Sequence, residues 1–164
     1  MRWLKEEARG AALFGLIIGT LLLDLAYALA ALTVLALLKI DLPPLSRERI
    51  PIFTFSFPFF LFTVAAVEEI VFRFPLAIAI YFELSLKRVL IVALVLSALF
   101  GIAHGGIHNI FIQGVSGFIY SILFLKAGGL QKNYTKALTV TTTMHFLYNM
   151  TLVGIVIVKG GTLF

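Results

Sequence analysis

The chain has 164 residues, 61% of them hydrophobic and only 13% charged, with a net charge of +5. Soluble domains are about 45–50% apolar and about 25% charged, which excludes an ordinary soluble protein and points to one membrane domain over 1–164. Without cysteine there are no disulfides, thiol nucleophiles, thiolate zinc sites or cysteine lipidation, and the positive charge calls for no nucleic acid, because the basic residues fall in short segments that would meet membrane lipid headgroups.

Residues 1–9 carry Arg2, Lys5 and Arg9 ahead of an apolar run over about 11–39. A basic start and the small residues of Ala28-Leu29-Ala30 resemble a secretory signal. The run far exceeds an h-region of roughly 7–15 residues, however, so a retained first transmembrane helix is expected. Asp24 sits in the middle of that run. It could pair with Arg73 or line a water path, or simply bond to a neighbouring helix.

A bilayer core of about 30 Å takes roughly 20 apolar residues as helix. Stretches at about 52–72, 89–104, 108–127 and 135–158 meet or approach that length. Paired prolines and charges make 41–49 a loop, and 128–133 is a second one. The segment 74–86 is apolar but short and begins at Pro75. It is expected to continue the preceding helix through a kink, the alternatives being an interfacial piece or a short extra span. The expected fold class is therefore all-α, a polytopic transmembrane bundle of five membrane helices, or six if 74–86 crosses alone. With five spans, eight Lys/Arg fall on the side of the N-terminus, against Lys39, Arg47, Arg49 and Lys159 on the other. That count weakly favours a cytoplasmic N-terminus in the cell membrane.

Chemistry-bearing residues lie inside these apolar stretches. Glu68-Glu69-Ile70-Val71-Phe72-Arg73 places two carboxylates and a guanidinium where each charge costs roughly 2.5–3.5 kcal/mol, so a functional reading is the default. Glu69 and Arg73 stand four apart with the acid first, the favourable order for an ion pair along one helix face. Glu68 projects about 100° away and is expected to remain an unpaired carboxyl, a candidate general base for water. The competing reading, that both acids only stabilise packing, leaves two acids for one arginine.

Phe100 and His104 are four apart near the end of the next helix, which Gly105-Gly106 should terminate, leaving the imidazole beside flexible backbone. His108 and Asn109 read as interfacial turn residues. Gly114, Gly117 and Ser121 read as a small face for close helix packing. The run Thr141-Thr142-Thr143 should bond to its own helix backbone. His145 and Asn149 share one face of the last helix, and two such donors side by side suit a developing oxyanion.

The spellings EExxxR, FxxxH and HxxxN, in this order and all in apolar helices, resemble the CPBP (CAAX protease, Abi) family, intramembrane proteases related to the Rce1-type CAAX prenyl endopeptidases. The resemblance covers about 53–158. It implies that Glu68 activates water with His104 orienting it, that His145 and Asn149 form the oxyanion hole, and that Glu69 and Arg73 support the first motif. It also implies a membrane-associated or lipidated peptide substrate. Two departures stand out: the chain is shorter than the better-known CAAX endopeptidases, and Phe74-Pro75 follows the motif arginine where relatives often have glycine.

Glu68, His104 and His145 could supply zinc with two nitrogens and an oxygen. Asn149 suits an oxyanion better than zinc and no HExxH is present, so a Glu/His-activated water without an obligatory metal is the expectation. Two other functions compete with the endopeptidase. One is a non-enzymatic membrane scaffold or bacteriocin-immunity-type protein on the same fold. The other is a small transporter, against which the absence of a visible inverted repeat counts.

Overall fold

The computed structural model describes residues 2–38 and 56–158. Lys39, the loop expected at 41–49, the first residues of the stretch expected at 52–72, and Lys159 lie outside them. Among the described residues the structure is all helical. A short α1 (Arg2–Lys5) precedes α2 (Gly10–Leu37), α3 (Ser56–Tyr81), α4 (Leu86–Ala103), α5 (Gln113–Lys126) and α6 (Tyr134–Val158), with single 3₁₀ turns at Ile107–Phe111 and Gly129–Gln131.

The segment after Arg73 is not a separate span: α3 runs through Pro75 to Tyr81. Proline removes one amide donor, a loss that a helix packed among neighbours tolerates. The stretch expected as one helix over 108–127 is α-helical only from Gln113 onward. Gly105 and Gly106 take φ of 126° and 108°, a region open to glycine, and the chain makes a 3₁₀ turn before α5 begins.

That break leaves α5 with only 14 residues, about 21 Å of helix, too short to cross a bilayer core. Among the described residues two helices are long and apolar enough to cross a membrane, Gly10–Leu35 within α2 and Leu86–Ala103. The described bundle is all-α as expected, though its helices do not number five. The other long helices, α3 and α6, carry the polar residues that lower their hydropathy.

α5 packs between α4, α6 and α2, while α3 lies against α4 and α6. The apolar core is built from Leu76 and Ile80 of α3, Val89 and Ala93 of α4, Tyr120 and Phe124 of α5, and Ala137 and Met144 of α6. The interior is also unusually polar. Asp24, Glu69, Arg73, Ser116, Ser121, Thr141 and His145 are buried, while Phe59, Phe60, Val67, Val71, Phe74, Leu94 and Leu99 face outward.

At one end of the bundle the N-terminal segment is clamped. The Lys126 ammonium donates to the carbonyls of Trp3 and Glu6, Lys136 pairs with Glu7 at 2.5 Å, and the Ala8 amide donates to the Lys126 carbonyl. Lys5, Arg9, Lys87, Arg88, Lys126, Lys132 and Lys136 all belong to this end.

Candidate active site

At the other end the α4–α5 hairpin stops short, and its tip carries His104. From the level of the site, α3 extends 12 residues back to Ser56 and α6 extends 13 onward to Val158, about 18–20 Å each. The site therefore sits at the tip of a short hairpin, flanked by longer helices.

The first motif folds as its spacing requires. Arg73 Nε and Nη2 donate to the two oxygens of Glu69 at 2.8 and 3.3 Å, and Nη1 donates to Ser121 Oγ at 2.8 Å. Arg73 and Glu69 are almost wholly buried. Ser121 is thus more than the packing residue expected on α5, since it completes the arginine's coordination. Its hydroxyl donates in turn to the Gly117 carbonyl at 2.9 Å.

The turn of about 100° to Glu68 carries that carboxylate away from Arg73 and toward α4 and α6. It is not unpaired. Oε1 stands 3.4 Å from His104 Nε2 and Oε2 stands 3.4 Å from His145 Nε2. Nor is it fully desolvated: the side chain is 25% exposed and that of His104 30%, so water reaches both.

His104 follows the last residue of α4 and is held, not loose. Its Nδ1 lies 2.8 Å from the Phe100 carbonyl and its own carbonyl accepts from Asn109 Nδ2 at 2.6 Å. Asn109 is accordingly buried and structural, which corrects its expected place as an interfacial residue. The 3₁₀ turn closes so tightly on α4 that a Cβ on Gly101 would come within 2.6 Å of the Asn109 carbonyl and of Ile110 Cα.

Phe100 spaces the two imidazoles. Its buried ring lies 4.2 Å from the His104 ring, 6.1 Å from His145 and 4.9 Å edge-on to Phe72, and it packs into the gap left by Gly117. The phenylalanine of FxxxH is thus a wedge, which periodicity alone would not reveal.

His145 is buried with both ring nitrogens facing acids: Nδ1 is 3.2 Å from Glu69 Oε1 and Nε2 faces Glu68. Asn149 lies one turn further along α6, half-buried, and makes no hydrogen bond among the described residues. Asp24 does not pair with Arg73. It accepts from Ser116 Oγ at 2.6 Å and from Tyr120 OH at 2.7 Å, and the Tyr120 ring packs against His145 at a tilt of 42° with ring centroids 5.1 Å apart. That second layer was not legible, since no spacing rule joins α2 to α5. Of the threonine run, only Thr141 bonds back to its helix.

The donors do not fit a zinc site. Among the described residues no three His, Asp or Glu side chains converge to hold a metal ion. Glu68 divides its two oxygens between the rings instead of converging with them on one point.

A comparison with curated proteins and one with solved structures gave no match. A family model described as type II CAAX prenyl endopeptidase Rce1-like matches residues 50–151, which include all three motifs. The chain belongs to the Rce1-like family of type II CAAX prenyl endopeptidases.

Proposed function

We propose that the chain is a multi-pass enzyme of the cell membrane that hydrolyses a peptide bond of a membrane-associated or lipid-anchored polypeptide, with water activated by Glu68 and His104. We further propose that 1–164 forms a single membrane domain around the family core. The observation that carries the reading is the division of one carboxylate between two imidazoles.

The Phe100 carbonyl can only accept, so His104 Nδ1 carries a hydrogen. In the neutral ring Nε2 then presents a lone pair to Glu68 Oε1 across 3.4 Å. Two acceptors facing each other suit a water molecule that donates one hydrogen to each. Glu68 takes a proton as the water oxygen attacks the carbonyl carbon. It returns that proton to the amine nitrogen when the C–N bond breaks.

His145 faces the developing oxyanion. Glu69 accepts from Arg73, so it can also accept from His145 Nδ1–H. A doubly protonated His145 would donate through both ring nitrogens, Nδ1 to Glu69 and Nε2 to Glu68. Its Nε2–H is held by ionised Glu68 in the resting site and freed for the oxyanion once Glu68 is protonated, with the Asn149 amide as second donor. Donors that strengthen only as charge develops lower the barrier and not merely the substrate's energy.

The outward Phe, Leu and Val residues and the inward acids and bases support a membrane location, with α3 and α6 crossing beside α2 and α4. The test uses purified protein in liposomes, a farnesylated peptide ending in a CAAX sequence and the same peptide without lipid. Rapid cleavage of the lipidated peptide alone is expected. Equal rates would remove the substrate class, and failure to cut either this peptide or a membrane-spanning one would remove the enzyme.

A further inference from the structure

We infer that Asp24, on a helix outside the family-matched residues 50–151, is a positioning residue for the His145 imidazole, acting through Tyr120. The inference rests on the oxyanion role proposed for His145. Asp24 is fully buried in the middle of α2, and its two oxygens are divided between two hydroxyls of α5. Ser116 has a second acceptor in the Ile112 carbonyl at 3.2 Å, so its bond to Asp24 ties helix to helix. Tyr120 has no other hydrogen-bond partner among the described residues, and its ring lies against His145.

Fixing the Tyr120 hydroxyl therefore fixes the plane that backs the imidazole. Glu69 and Glu68 face the two ring nitrogens of His145 at 3.2 and 3.4 Å, and contacts at the two nitrogens alone leave the ring free to tilt about the line joining them. The tyrosine face removes that tilt, aiming Nε2 at the Glu68 side. A misplacement of about 1 Å in a reacting group can cost about 100-fold, so a small tilt matters.

Ser116→Ala and Tyr120→Phe each delete one hydrogen bond to Asp24, but only the second reaches His145. Asp24→Ala removes both acceptors, that of Tyr120 among them. The full-length protein in detergent is read by imidazole ¹⁵N spectra, with His145→Asn assigning the resonance, and by kcat and KM on the farnesylated peptide. Tyr120→Phe and Asp24→Ala should shift the His145 nitrogen signals and lower kcat by about tenfold with KM unchanged. Ser116→Ala should do neither. Equal shifts in all three variants, or none in any, overturn the inference. The spectra need no substrate, so wild type that cuts nothing refutes the proposed activity while the His145 signal still judges this one.

Discussion

Glu68 Oε1 and His104 Nε2 stand 3.4 Å apart, and the His104 ring cannot turn its other nitrogen into that gap, because Nδ1 is committed to the Phe100 carbonyl at 2.8 Å. The relationship joins the middle of α3 to the residue that ends α4. It depends on the glycine-rich turn that stops α4 at this depth, so the same backbone break that shortens the hairpin delivers the imidazole.

The Glu69–Arg73 pair should be worth most when intact and least when halved. Arg73→Met strands a buried carboxylate and should destabilise the protein by about 3–5 kcal/mol. Adding Glu69→Gln should recover much of that loss. Unfolding in detergent monitored by circular dichroism measures both.

Gly101→Ala should displace the turn that carries His104, since the new methyl would meet backbone atoms at 2.6 Å. Overpacking of this kind costs about 1–3 kcal/mol, and peptide hydrolysis should fall with it. Gly15→Ala, where nothing lies within 4 Å, is the control and should leave both thermal midpoint and activity unchanged.

The N-terminal clamp should open in acid. Hydrogen bonds from Lys136 and then Arg9 hold the Glu7 carboxyl below its ordinary 4.5. A lowered folded value stabilises the clamp above the unfolded value, and that contribution is lost as pH falls through the folded one. Hydrogen exchange over residues 2–9 should therefore accelerate below about pH 4.5. Lys136→Met should show the faster exchange already at neutral pH.

Because the chain lacks cysteine, single cysteines report topology directly. Lys87→Cys at the basic end should react with an impermeant maleimide only from the cytoplasmic side. The reverse pattern would invert the proposed orientation.

Much of the arrangement was readable from local spacing, because helix geometry alone sets Glu69 beside Arg73 and turns Glu68 elsewhere. Where Glu68 turns to was not readable: its partners come from α4 and α6, and the sequence names no contact between helices. The end of α4 was readable from the Gly105-Gly106 pair, whereas the 3₁₀ turn that delays α5 to Gln113 was not, since the apolar stretch after the glycines looks like one helix. Asp24 shows the same limit. A buried acid signals that a partner exists, but only packing shows that Ser116 and Tyr120 are the partners.

The most direct test of the central claim is the rate at which Glu68→Gln hydrolyses the farnesylated peptide, with peptide binding measured on the same preparation. Glutamine keeps the size and the contact with both imidazoles but cannot take a proton from water. Loss of a general base should lower kcat by roughly 10²–10⁴-fold, with binding and thermal midpoint close to wild type. A Glu68→Gln enzyme that turns over within a few-fold of wild type would contradict the account.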